Sequence, residues 1–307
     1  MSRVKVRRTH REELPGIVLL RDAMGDDGSG ASQRRPVLDL DMEVDPTLDH
    51  LMTHDPNGFF SAVLHDETLG HAVAHVRSRQ WILSEIGVLP QHRGQGIGTA
   101  LLGKALAYGE RAGVKSWLAL VPRSPALEAL LLKHDLRPLT PLYLLRVEPG
   151  RAARLGRALS ALHPGQDVTA ELLSRRGQAD LDRIDTFSRG VVREGDHVFW
   201  LKRAGLNASF VRQGNRIAAY GYGGTAQVGP VAGTTREAAL AALGQSMLAA
   251  LEQDPDASLV LRVPATFEEA MVALLENGAR LEDTWMIHTR GESHSFDRYI
   301  PGIPVLP

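Results

Sequence analysis

The sequence predicts a mixed α/β protein built as two tandem copies of one unit. Three observations carry that prediction. Apolar residues alternate with strand periodicity in some stretches and recur with helical periodicity in others, in turn, along much of the 307-residue chain. Val121-Pro122 reappears as Val263-Pro264, 142 positions later, with similar elements on both sides of each pair. With 43% apolar and 23% charged residues, the chain carries enough hydrophobic material to bury two ordinary cores.

The first copy, residues 1–148, opens with a strand from Lys5 to Arg8. Thr9 and Glu12 form a capping box ahead of a helix whose buried face is Leu14, Ile17, Val18 and Leu20. Gly25 to Pro36 is the most flexible composition in the chain and reads either as a lid or as a plain surface loop. A short helix from Asp45 to His54 follows, then strands Phe59–His65 and Leu69–Val76 as a hairpin, then a third strand from Trp81 to Val88. A helix runs to Ala112, a parallel strand covers Ser116–Val121, a helix Pro125–His134 and a last strand Leu142–Val147. Residues 149–166 form a linker with helical spacing in Arg151–Leu162, and residues 167–291 the second copy. That copy repeats the hairpin at Phe210–Val211 and Ile217–Tyr222, the third strand at Gln227–Val231 and its helix at Arg236–Leu251. Ser258–Val263, Glu268–Asn277 and Asp283–Thr289 complete it, and residues 292–307 form a tail that packs across a domain surface.

Chemistry concentrates where the third strand of the first copy turns into its helix, at Glu85-Ile86-Gly87-Val88-Leu89-Pro90-Gln91-His92-Arg93-Gly94-Gln95-Gly96-Ile97-Gly98-Thr99. Gly94, Gly96 and Gly98 remove the side chains that would keep a ligand off the backbone. The unpaired first-turn amides of the helix then face whatever anion sits there, and Arg93 adds a fork of donors. A diphosphate suits several converging amides better than a carboxylate does. The dinucleotide pattern G-x-G-x-x-G fails because Thr99 stands at the third glycine. A Walker loop fails because Ala105 replaces the magnesium-binding hydroxyl after Lys104.

The pattern that fits is R-x-x-G-x-G as Arg93, Gly96 and Gly98, preceded by Val88-x-Pro90 and followed by Leu101-Leu102. It resembles motif A of the GNAT acetyltransferase superfamily. The element order of residues 1–148 is similar to the family's, and the tandem arrangement resembles its two-domain members. The resemblance implies acetyl-CoA as cosubstrate, with its pyrophosphate on the amides of Gly94, Gln95, Gly96, Ile97, Gly98 and Thr99. It implies the pantetheine arm alongside Ile86, Gly87 and Val88, and the Val88 amide as oxyanion donor. Glu85, on the same strand, becomes the candidate base, with His71 and His75 on the neighbouring strand as lesser candidates. Ser124 either contacts CoA, where the family commonly has asparagine, or caps its own helix. The tyrosine that usually protonates the departing thiolate is missing, since Ser124–Asp135 contains none and Leu131 stands near its place.

The second copy has lost this turn. Gly229-Pro230-Val231-Ala232-Gly233-Thr234-Thr235-Arg236 stands in its place, and Thr234 or Thr235 can cap the helix internally, so one cofactor site is expected, in the first copy. The implied activity is transfer of an acetyl group to the amine of a small-molecule or peptide acceptor, by direct attack in a ternary complex. The alternative is a non-catalytic acetyl-CoA sensor or scaffold; a thiol or hydroxyl acceptor is a third reading. With no cysteine, ping-pong transfer through an enzyme thiol, disulfides and thiolate metal sites are excluded. A formal charge of −1 argues against nucleic acid as a partner. No apolar stretch is long enough for a signal or membrane span, so a cytoplasmic protein is expected, as a monomer with two pseudo-equivalent domains or as a homodimer. His50 and His54 have metal-ligand spacing but lack a partner glutamate, so no metal is expected. Phe199, Trp200, Tyr220 and Tyr222 read as core and sheet-face aromatics of the second copy.

Overall fold

A computed structural model describes residues 4–25, 45–162, 175–203, 205–225, 227–303 and 306–307. The stretch read as lid or loop therefore lies outside the described residues beyond Gly25, as does the end of the expected linker. The chain divides into two compact units, one built on residues up to Arg137 and one on Pro138–Ile287. His288–Gly291 is assigned to the first and Glu292–Ile303 to the second.

Unit 1 holds a sheet in the order β1 (Lys5–Arg8), β2 (Phe59–Leu64), β3 (Glu67–Arg77), β4 (Gln80–Val88), β5 (Ser116–Pro122). The first four strands are antiparallel, and β5 runs parallel to β4. Helices α1 (Leu14–Gly25), α2 (Pro46–His54), α3 (Ile97–Arg111) and α4 (Pro125–Leu132) accompany it. On α3 the buried residues Ile97, Leu101, Leu102, Ala105 and Leu106 make a helical stripe that packs on Ala72, Ala74, Trp81 and Leu83 of the sheet. The capping box falls one residue later than expected. The His10 amide donates to the Glu13 carboxylate (2.7 Å), because Thr9 is still held as strand by its amide on Phe59 (3.1 Å) and its hydroxyl on Ser61 (2.7 Å). Arg7 grips the same carboxylate through both oxygens (2.5 and 2.8 Å) and brings Glu13 down to about 2.

One irregularity in β4 re-aims its side chains. Val73 lies opposite Glu85 and Ala74 opposite Leu83, so Ser84 is an extra residue, a β-bulge. Ahead of it Trp81 and Leu83 pack into the α3 core; beyond it that role passes to Ile86 and Val88. Glu85 and Gly87 are turned to the opposite face. The seat of α3 is fixed by Tyr108, whose hydroxyl donates to Asp55, a carboxylate that also takes Arg77 Nη1 (2.6 Å) and the Val76 amide (3.2 Å). Tyr108→Phe should therefore cost about 1–3 kcal/mol in urea unfolding, the penalty of a buried acceptor losing a donor.

Unit 2 orders its strands β6 (Arg137–Val147), β10 (Leu259–Pro264), β9 (Gln227–Gly233), β8 (Arg216–Gly224), β7 (Leu206–Gln213), with β12 (Tyr299–Ile300) also on β9. The strand expected to close the first repeat, β6, ladders antiparallel with β10 from Leu142↔Pro264 to Val147↔Leu259 and so is counted with unit 2 from Pro138 on. Its opposite number β11 (Arg280–Gly291) gives its last four residues, His288–Gly291, to unit 1. The expected linker helix is α5 (Pro149–Ser160), which packs against α8 (Arg236–Gln253) at a crossing where Gly156 faces Gly244. A Cβ on Gly244 would stand 2.7 Å from Gly156 O, so only glycine permits this approach. Two helices unforeseen in the sequence, α6 (Arg175–Arg189) and α7 (Glu194–Lys202), and the expected α9 (Glu268–Glu276) are the other helices among the described residues of this unit. No described helix is long and apolar enough to cross a membrane.

Candidate active site

The seam between β4 and β5 of unit 1 closes over only part of its length. The two strands pair from Gln80↔Ser116 to Leu83↔Ala119; β4 then runs on to Val88 and β5 to Pro122 without pairing further with each other. The bulge at Ser84 sits at this parting. Backbone phase tells which groups face the opening. Leu89 N–H donates to Leu69 O on β3 (2.9 Å), so Val88, one residue earlier, turns both its amide and its carbonyl to the other edge. The carbonyl is taken by Arg93 Nε (3.0 Å). The amide is directed into the opening.

At the mouth of the opening lies the glycine turn. Gly94 (φ +77°) and Gly96 (φ +80°) are left-handed, and a Cβ on either would meet no atom within 4 Å. These glycines are thus required by backbone conformation, with open space on the side where side chains would have been. The first helical bond of α3 is Ala100 N–H to Gly96 O (3.1 Å), so the amides of Ile97, Gly98 and Thr99 have no intrahelical acceptor. Gln95, Gly96 and Thr99 are exposed, Gly98 is half-buried, and Ile97 anchors the turn in the core. This donor set fits an anion of diphosphate type. Ser124 is at the N-cap position of α4, and its side chain makes no capping bond, which leaves the hydroxyl for a ligand.

Glu85, on the face opposite α3, meets groups from β3 and α1. His71 Nε2 is 3.2 Å from Glu85 Oε2, and Arg21 of α1 pairs with Oε1. Arg21 also reaches Asp45 (3.0 Å), the N-cap of α2, whose other oxygen takes the Thr47 amide (2.9 Å). Burial pulls the Arg21 guanidinium down, but the carboxylates of Glu85 and Asp45 together hold it above its usual value. His71 is buried, and its Nδ1 has no hydrogen-bond partner among the described residues. His75 is instead engaged with Ser84 Oγ (2.8 Å), at the bulge.

Arg21 and Asp45 were not singled out in the sequence. The signal was present for Arg21, which falls four residues after Ile17 on the buried stripe of α1, where a charge is out of place. Leu131 is fully buried in the core, so the α4 position that would carry an acid offers none. His54 Nδ1 is bound to His50 O (2.8 Å), and no group of three potential metal ligands occurs among the described residues. In unit 2, Trp200, Tyr220 and Tyr222 are buried, as expected for core aromatics.

Unit 1 thus joins a mixed sheet with one parted seam to a glycine-lined helix start at the end of that seam. Residues 27–134 match the family model described as Acetyltransferase (GNAT) family. Such proteins generally bind acetyl-CoA or CoA. Over its length the chain has the fold of several solved structures. A putative acetyltransferase from Pyrococcus horikoshii aligns at 16% identity with a TM-score of 0.72, covering 99% of this chain and 96% of that one. A GCN5-related N-acetyltransferase from Sphaerobacter thermophilus gives 15% identity and 0.63, covering 95% and 98%. A tandem GNAT protein from the clavulanic acid biosynthesis pathway gives 13% and 0.55, with 95% and 98% covered. Among curated proteins no sequence matches it.

Proposed function

We propose that the protein is an acetyltransferase of two tandem domains, residues 1–148 and 167–291, of which the first takes acetyl-CoA and passes its acetyl group directly to an acceptor amine. The observation that carries this reading is the Val88 amide, directed into the β4–β5 opening with Glu85 three residues before it and the glycine turn just after it. The thioester supplies an activated acyl carbon. The amides of Gly94–Thr99 and the Ser124 hydroxyl hold the nucleotide end, and β4 from Ile86 to Val88 aligns the arm. The Val88 N–H is fixed by its strand before any charge develops, so it stabilises the oxyanion without reorganising.

A lysine-like amine arrives protonated, and removing that proton at pH 7 costs about 4–5 kcal/mol. Glu85 receives it, with His71 on its second oxygen and Arg21 on its first holding the carboxylate in place. The thiolate leaves without an acid from α4 and is protonated by solvent. Glu85→Gln should lower kcat/KM by about 10²–10⁴ at neutral pH, with acetyl-CoA affinity unchanged within about threefold. Unaltered activity at every pH would remove Glu85 from the mechanism. The sensor reading is favoured by the absent tyrosine, and would be adopted if acetyl-CoA binds stoichiometrically while a broad amine panel gives no turnover.

A further inference from the structure

We infer that residues Arg298–Gly302 are a built-in occupant of the second unit's own cofactor groove, standing where acetyl-CoA is read to stand in the first; the inference rests on that reading of the β4–β5 opening. Backbone phase aligns the two grooves. Leu89 N–H bonds back to Leu69 O (2.9 Å) in unit 1, and Thr234 N–H bonds back to Ala218 O (2.8 Å) in unit 2. The residue before each, Val88 or Gly233, must then direct its amide to the opposite edge. Both strands carry an extra residue upstream, β4 at Ser84 and β9 at Gly229-Pro230. Both also part from their parallel neighbour, since the β9–β10 ladder consists of Gln227↔Val260.

The difference lies in what fills the opening. Gly233 N–H donates to Arg298 O (3.3 Å), so a peptide carbonyl sits at the place equivalent to the one read as the thioester carbonyl's. Tyr299 and Ile300 continue antiparallel along Ala232 and Val231, and both are fully buried. The seat is close: a Cβ on Gly229 would stand 2.7 Å from Pro301 O, and one on Gly302 would stand 2.9 Å from Pro230 Cδ. Arg262 of β10 is buried, and its Nη1 donates to Gly302 O (3.2 Å) from the other wall. Burial alone lowers its guanidinium, to about 10. The nucleotide end has no cradle either. Only Thr234 and Thr235 separate β9 from α8, and the Thr235 hydroxyl caps the helix at Ala238 N–H (3.1 Å). The amide equivalent to that of Val88, and the Ala238 amide in the first turn of the helix, are therefore met from within the chain.

The test is residue-resolved hydrogen exchange on the full chain with and without acetyl-CoA, together with calorimetric stoichiometry. The expected result is a slow Gly233 amide in the free protein, unchanged by acetyl-CoA, and a fast Val88 amide that acetyl-CoA slows, with one site per chain. Gly302→Val, which crowds Pro230, should speed Gly233 exchange by about tenfold or more while leaving the single site intact. A Gly233 amide that exchanges as fast as Val88 in the free protein, or is slowed by acetyl-CoA, overturns the inference; so does a second site per chain. Absence of any heat, with Val88 unaffected, overturns the cofactor reading of unit 1 and with it the equivalence. A slow Gly233 would then show a structural strand and nothing more.

Discussion

Replacing Gly96 by Asp will weaken acetyl-CoA binding by about 100-fold or more while leaving the fold intact, as read by titration calorimetry and by thermal unfolding of the same sample. Two costs combine. A left-handed residue with a Cβ pays about 1–2 kcal/mol, and that part is shared by Gly96→Ala, whose methyl group would meet no atom within 4 Å. The carboxylate adds a negative charge at the start of α3, where a phosphate is read to sit; like charges about 4 Å apart at the protein surface repel by about 4 kcal/mol. The backbone cost is carried by free and bound protein alike and falls on stability, so the repulsion must supply the 2.8 kcal/mol or so that a 100-fold loss represents, about two thirds of its full value. Asp is among the residues best tolerated in left-handed backbone, so the fold persists and the melting temperature falls by several degrees at most. Equal affinities for the Ala and Asp variants would show that no anion lies at this turn.

The largest effect on stability is expected from Asp185→Ala, in unit 2. Asp185 is fully buried on α6 and accepts from Arg193 Nε (3.1 Å) and Nη2 (3.0 Å), from the Tyr220 hydroxyl (2.5 Å) and, at 2.9 Å, from His197 Nε2. His197 is held in turn by the Tyr222 hydroxyl (2.8 Å), and Arg193 extends to Tyr299 (2.9 Å) and Pro307 O (2.7 Å). Removing the carboxylate leaves a buried guanidinium without its counter-charge, at a cost of about 3–5 kcal/mol in denaturant unfolding. The pH dependence has a definite sign. Burial alone would raise the Asp185 carboxyl, but Arg193 and His197 outweigh it and hold it well below the usual carboxylate range. Its contribution is therefore complete above the unfolded value of about 4 and is lost only as the pH falls below it. The wild type should lose stability steeply on acidification, and the Ala variant less so. Parallel stability–pH curves would contradict this account.

The contrast between the two units shows what the sequence made legible. In unit 1 each expected strand and helix is present within a few residues, because Trp81, Leu83 and the α3 stripe are apolar at positions the core demands. The glycine turn was legible for the same reason: Gly94 and Gly96 mark backbone that other residues avoid. In unit 2, α6 was invisible because its buried face carries Asp185, Ser188 and Arg189 beside Leu181 and Ile184. The period is present at Leu181 and Ile184, but with so few apolar residues the segment reads as solvated, and its buried partners on β8 and in the tail are distant in sequence. The fate of β6 was equally hidden, since nothing local distinguishes a strand that pairs with β10 from one that closes its own repeat. In the candidate site, Glu85 is proposed from its place on β4, while the two groups that meet its carboxylate, His71 and Arg21, come from a neighbouring strand and a remote helix.

Strict alternation from Trp81 and Leu83 would have sent Glu85 into the apolar core beneath α3; the single supernumerary residue at Ser84 is what sends it to Arg21 and His71 instead. The role of β4 is thus written in a count as well as in an alphabet. Losing one residue from this strand would exchange the two faces of everything after it, placing a carboxylate among leucines and leaving Ile86 and Val88 on the reactive side, with every side chain still present. Across variants of this protein, then, substitutions along β4 can be judged residue by residue, whereas a one-residue gap there changes the strand's meaning as a frameshift changes a reading frame.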